Sequence, residues 1–267
     1  MTKQKFLIGI AGGLGPFAHI EMERYLLEAA IELLDVKHDQ DFPEWILSSI
    51  PGTPDRTAAI CGSGEDPTPM IVRSLRRLET HYDRQGAEIK GADFAIIPCN
   101  TSHKFLPEVR KQVNIPVLDM IEETSKNIAK QYPGSRVGIL ATTGTIKSGI
   151  YHESLKQNKL LPQSPLDLPG GEEIQRTLVM EQIYGPWIGN EYAGGGIKAT
   201  GPKPGHIKKL NKAAAMLNEY SEPAVFIAGC TEISLALTGS ELQGKPLVDP
   251  MAVVARTSIM RAYDLQL

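Results

Sequence analysis

Cys99 and Cys230 stand in matching surroundings. The first lies in Pro98-Cys99-Asn100-Thr101-Ser102-His103, the second in Gly229-Cys230-Thr231-Glu232-Ile233, and each ends an apolar run. A cysteine at a strand-to-helix junction faces unpaired N–H groups and the positive end of a helix dipole. That setting lowers a thiol pKa from its free value of about 8.5, and Thr101, Ser102 and Thr231 add hydroxyls. Two such thiols suit a task that needs a base on one face of a centre and an acid on the other. A single nucleophile would instead need an adjacent base oriented by a third group. His103 could serve Cys99 in that way, but nothing equivalent follows Cys230, where Glu232 and Ile233 come next. Cys61, after Ala58-Ala59-Ile60 and without a counterpart, reads as a small buried hydrophobe. No pair has CxxC spacing and no His/Cys cluster lies near either thiol, so no metal site is indicated.

The elements around these residues alternate regularly. Apolar runs at 6–10, 45–50, 94–97, 116–118, 137–140, 224–228 and 246–248 read as strands. Helical spacing is read over 17–34, from the prolines at 67–69 to about Arg84, from near Ile121, over 172–183 and 208–220, and over 250–265. A Gly-rich insert runs from Gly185 to Gly205. The halves repeat: Gly9 and Gly138, Cys99 and Cys230, Asp119 and Asp249 recur in order at spacings of 129–131 residues (138 − 9, 230 − 99, 249 − 119). Strand–helix alternation predicts parallel sheets covered by helices, here two similar α/β lobes related by pseudo-twofold symmetry. The expected boundaries are 1–118, 119–249, and a C-terminal helix at 250–267 packing back on the first lobe. Ligands of open α/β sheets bind beyond the carboxyl ends of strands, which puts the expected site in a cleft between the lobes.

Composition narrows the function. The 267 residues carry a net charge of −3, which offers no basic surface for nucleic acid. The apolar runs are far shorter than the roughly 20 residues a membrane span needs. The short polar N-terminus lacks a signal peptide's apolar core, so a cytoplasmic location is expected. The Gly12-Gly13-Leu14-Gly15 loop lacks the spacing and the later acid of a dinucleotide site.

Taken together, Pro98-Cys99-Asn100-Thr101 and Gly229-Cys230-Thr231-Glu232 resemble the paired signatures of the aspartate/glutamate racemase family. Gly12-Gly13-Leu14-Gly15-Pro16 resembles the family's first loop, and Pro54-Asp55-Arg56-Thr57 with Gly64-Glu65-Asp66-Pro67 resembles its aspartate racemase branch. Ala11-Gly12-Gly13 in place of Asp-Ser-Gly, and Glu232-Ile233 in place of His-Tyr, also separate the chain from cell-wall glutamate racemases. The resemblance implies racemisation of aspartate, with glutamate the nearest competitor, without pyridoxal phosphate, by thiol and thiolate on opposite faces of the α-carbon. It implies that Cys230 faces the L-isomer's proton and Cys99 the D-isomer's. It further implies that Asn100, Thr101, Thr142, Thr143 and Thr231, with the Gly12 loop, hold the α-carboxylate and amino group. Arg56 would hold the side-chain carboxylate. Lys198, in Gly196-Ile197-Lys198-Ala199, is the nearest match to a lysine that shares that task, and 186–195 looks like an insertion before it. A homodimer is implied too. Hydantoin racemases, maleate isomerases and arylmalonate decarboxylases share the architecture, so another small acid remains open, as does a non-catalytic amino-acid-binding protein.

Overall fold

The computed structural model describes residues 3–82 and 84–266. The chain divides into two compact units, Met1–Glu123 with Met251–Leu267, and Thr124–Pro250. In the first, β1 (Ile8–Gly12) lies between β2 (Trp45–Ser49) and β5 (Phe94–Ile96), all parallel. A short antiparallel ribbon, β3 (His81–Tyr82) with β4 (Glu88–Ile89), stands apart from that sheet. Both faces of the sheet are buried, which is why its inner strands read as continuous apolar runs. Ile8, Ile10, Phe94 and Ile96 pack with the helices Pro16–Leu33 and Pro250–Ala262. Ala11, Ala95 and Ile97 pack with Ile71, Leu75 and Leu106 on the other face. The split follows the strand period of two.

In the second unit, β6 (Arg136–Ala141) lies between β7 (Leu161–Gln163) and β10 (Val225–Gly229). Strand β12 (Lys245–Val248) follows in parallel beside β10, and β11 (Glu241–Leu242) adds an antiparallel edge. The insert carries its own ribbon, β8 (Trp187–Ile188) with β9 (Glu191–Tyr192). The order β7-β6-β10-β12 reproduces β2-β1-β5 followed by Val117, which bridges Ala95 in parallel. Register agrees too: Gly9 pairs with Ala95, and Gly138 with Phe226, the repeat equivalent.

Several sequence expectations needed correction. The helix predicted to reach Arg84 ends at Arg76, because the chain turns into the β3–β4 ribbon. The run at 116–118 forms one bridge rather than a strand. The helix predicted at 172–183 is broken by a π-helical segment, Gln175–Met180. The helix predicted from Lys208 starts at Pro204.

The turn after β1 depends on Gly13. Its φ is +86°, and a Cβ there would lie 2.4 Å from the Ile50 nitrogen. Gly13→Ala is expected to cost roughly 3 kcal/mol or more in chemical denaturation, combining left-handed strain with a backbone clash. Gly62 has φ +77° and open space around it, so Gly62→Ala should cost about 1–2 kcal/mol. Equal losses at both positions would remove the close approach to Ile50 as the cause.

Candidate active site

Both cysteines are buried and each occupies the N-cap position of the helix that follows its strand. Cys99 precedes a 3-10 turn, Asn100–Phe105, which leads into the helix Leu106–Arg110. Its carbonyl is clamped by its own loop. Ser102 Oγ donates to it at 2.7 Å, and His103 Nδ1 lies 2.9 Å away. The Met120 amide donates to His103 Nε2 at 3.2 Å. A ring nitrogen that accepts carries no proton, so the hydrogen is on Nδ1 and points at the Cys99 carbonyl. Burial drives the His103 pKa down, against the opposing pull of Asp119. His103 is therefore a neutral strut between two backbone groups. This corrects the idea that it could be a base for the Cys99 thiol, since both its nitrogens are committed.

Cys230 is partnered differently. Its thiol donates to Glu232 Oε2 at 2.8 Å, and the Thr231 hydroxyl donates to the same oxygen at 3.1 Å. Lys198 Nζ lies 3.5 Å from Glu232 Oε1 and 4.9 Å from the centre of the Tyr184 ring. Burial pushes the Cys230 thiol well above its ordinary range, and the Glu232 charge pushes it further. Burial works to raise Glu232 as well, but Lys198 and the donors from Cys230 and Thr231 outweigh it and hold the carboxyl below its usual value. The resting pair is a protonated thiol beside a carboxylate. The expectation that a helix N-terminus would lower this thiol's pKa is thus overturned, by burial first and by the Glu232 carboxylate second. The statement that nothing equivalent to a base follows Cys230 is corrected by Glu232.

The remaining predicted residues divide between the two units. Gly12 ends β1, and its carbonyl accepts from the Ile50 amide. Arg56 is buried at the start of the helix Arg56–Ile60, which Asp55 caps. Its guanidinium donates to the carbonyls of Thr53, Pro54 and Leu14, lacing the 50–56 loop to the first loop. Asn100 and Thr101 are buried in the turn after Cys99. In the second unit Thr142 caps the helix Thr143–Lys147, and Thr143 is half-buried at its first position. Thr231 turns its hydroxyl onto Glu232. Lys198 is brought to Glu232 although the insert precedes it; Tyr192 stacks on Tyr184 and meets Trp187 edge-on, continuing the contact outward. Cys61 is exposed, not the small buried hydrophobe expected, because it caps the end of a short surface helix. Glu232 is the residue sequence reasoning missed; a carboxylate two residues after a capping cysteine was the available signal. Among the described residues no group of three His, Cys, Asp or Glu side chains could hold a metal, and no helix is long and apolar enough to cross a membrane.

Each of the two parallel α/β units places a buried cysteine between a strand and the helix that follows it. The profile of the Asp/Glu/hydantoin racemase family matches residues 12–257, and the chain belongs to that family. It is 25% identical over 256 residues to the broad specificity amino-acid racemase RacX of Bacillus subtilis (strain 168), covering 95% of this chain and 96% of that protein. It is 32% identical to the glutamate racemase of Aquifex pyrophilus over 88 residues, 32% of this chain and 35% of that one. In structure it resembles the aspartate racemase of Picrophilus torridus, with a TM-score of 0.73 at 22% identity over 98% of this chain and 96% of that one.

The state of His103 makes a pH prediction. A ring held neutral by burial has a folded pKa below its unfolded value of about 6.5. Below that pH the unfolded chain binds a proton that the folded one refuses, so stability should fall as pH drops through this window. Urea denaturation between about pH 7 and 5 should show this slope, and His103→Gln should reduce it by about one proton. An unchanged slope would mean that the ring charges in the folded protein.

Proposed function

We propose that this protein racemises an amino acid by 1,1-proton transfer, with Cys99 and Cys230 as the two acid–base groups. One thiolate removes the α-proton, and the opposing thiol delivers a proton to the other face of the carbanion. The observation that carries this reading is the Cys230–Glu232 contact of 2.8 Å. A buried thiol packed only as a hydrophobe has no use for a buried carboxylate. A thiol that must alternate between acid and base does. Glu232 accepts the proton when Cys230 is needed as thiolate and leaves it on sulfur when Cys230 is needed as acid. Lys198 keeps the carboxylate charged between turnovers. Helix N-termini after both cysteines, with the threonine hydroxyls, oppose the negative charge that gathers on the substrate carboxylate.

Substrate choice follows from the two cations. We assign the side-chain carboxylate to Arg56, which is buried beside the first loop. The carbonyls of Thr53, Pro54 and Leu14 orient its planar fork, and that fork matches the geometry of a carboxylate. Aspartate is the proposed substrate, with glutamate next. A second reading, a wider range of side chains, draws on the pairing of Lys198 with Glu232 and on the likeness to a broad specificity racemase.

Cys99→Ala and Cys230→Ala should each abolish racemisation, by about 10²–10⁴-fold or more. Each should still exchange one enantiomer's α-proton in deuterated water: the D-isomer in Cys230→Ala, the L-isomer in Cys99→Ala. Cys61→Ala should racemise at the wild-type rate. Full activity in either of the first two variants would rule out the two-thiol mechanism.

Glu232→Gln keeps the shape but takes no proton. Because enantiomers are equal in energy, kcat/KM must fall equally from both sides, by about 10²-fold. For specificity, Arg56→Lys should lower kcat/KM for aspartate at least about tenfold more than for alanine, since a lysine cannot reproduce the fork. Wild-type efficiency that is equal on alanine and aspartate would favour the wider reading.

A further inference from the structure

Gln175 is almost completely buried, yet it is kept for its donors alone. Its Nε2 donates to the Ala141 carbonyl at 2.8 Å and lies 3.4 Å from Thr143 Oγ1, while its buried Oε1 has no hydrogen-bond partner among the described residues. A buried amide oxygen left unsatisfied calls for an explanation. An apolar side chain of similar size would fill the space without it. Both hydrogens of Nε2 face the loop that ends β6, the loop of Thr142 and Thr143.

The backbone around Gln175 is unusual in a way that serves the same loop. Gln175–Met180 is π-helical. At the other end of this segment Met180 Sδ accepts the Thr143 amide at 3.1 Å. In an α-helix, residues five apart point about 140° away from each other, at 100° per residue. The i→i+5 bonding of a π-turn brings them toward one side, and such turns collect at functional sites. The segment thus grips Thr143 twice, at its amide through Met180 and at its hydroxyl oxygen through Gln175.

We propose that Gln175 is a positioning residue that aims the Thr143 hydroxyl proton at the carboxylate of the bound amino acid. This rests on the reading above that Thr143 takes part in holding the substrate. A hydroxyl has one proton and two acceptor positions. With the Gln175 amide N–H directed at its oxygen, Thr143 keeps its own proton for a ligand. Glutamate at position 175 would reverse this, because a carboxylate accepts the threonine proton and draws it inward. Methionine would remove the donors at nearly the same volume.

Direct calorimetric binding of L- and D-aspartate, glutamate and alanine tests this without requiring turnover, and racemisation is followed in parallel. Gln175→Met should weaken binding of the best ligand about tenfold, the loss expected for one hydrogen bond to a charged group. In steady-state kinetics the same variant should raise KM more than it lowers kcat. Gln175→Glu should weaken binding further. In a Thr143→Ala background Gln175→Met should have no additional effect, whereas in Thr143→Ser the tenfold effect should return. A purely structural role predicts a loss of thermal stability with unchanged affinity, or the same loss in the Thr143→Ala background. Either result overturns the proposal. Binding by the wild type without racemisation would refute the racemase reading and leave Gln175 to be judged on affinity alone. No binding of any of these amino acids by the wild type would overturn both.

Discussion

The second unit is organised around a carboxylate buried beside a buried thiol. Burying one uncompensated charge is costly, so Glu232 dictates its neighbours. It needs donors on both oxygens, and Cys230 and Thr231 supply one side while Lys198 supplies the other. Lys198 in turn must be delivered from 34 residues upstream (232 − 198). The short helix Ile197–Thr200 places it there, and Tyr184 flanks the ammonium. The aromatic ribbon of the insert then has a physical role: Tyr192 stacks on Tyr184, and Trp187 packs against Tyr192. The insert is continuous with the thiol through these five contacts, not a surface decoration.

The repeat shares a backbone and not its polar dressing. Strand order and register match between the units. The residues after each cysteine do not. Thr101, Ser102 and His103 correspond by position to Glu232, Ile233 and Ser234. In the first unit the polar groups seize the cysteine's carbonyl and fix the main chain. In the second they seize its sulfur. Duplication fixes where each thiol stands, because strand ends and helix caps are set by backbone geometry. Proton affinity is set by side chains one turn on, and those are free to diverge.

That distinction also explains what could be read in advance. The strands at 8–12, 94–96, 136–141 and 225–229 are legible because sheets buried on both faces leave unbroken apolar runs. Cys99 and Cys230 were legible because their motifs repeat. The pairing of Lys198 with Glu232 was not, since a contact across 34 residues leaves no local trace. The two-residue strands of β3, β4, β8 and β9 are too short to show any period, so in sequence β3 reads as the end of a helix and the β8–β9 ribbon as part of a Gly-rich insert. The π-turn was invisible for a different reason: residues 172–183 keep a helical pattern of apolar positions, and the extra residue per turn changes only which polar side chain faces inward.

For the two-thiol reaction, the unlike surroundings of the cysteines meet a thermodynamic limit. L- and D-isomers have the same free energy, so no environment can make the enzyme more efficient in one direction than in the other. A difference in proton affinity between the two sulfurs can appear only in kcat and KM together, the enantiomer with the higher kcat having the proportionally higher KM. Cys230 rests as a thiol because burial and Glu232 both favour the protonated form. In the proposed reaction a Cys230 thiol is the proton donor for the isomer whose proton Cys99 removes. In the same proposal the other isomer is deprotonated by Cys230 after the sulfur has passed its proton to Glu232, its hydrogen-bond partner. That transfer moves charge from a carboxylate paired with Lys198 to a sulfur that burial disfavours as an anion. In the proposed reaction the Glu232–Lys198 pair would therefore set how one fixed kcat/KM is divided between kcat and KM for each enantiomer.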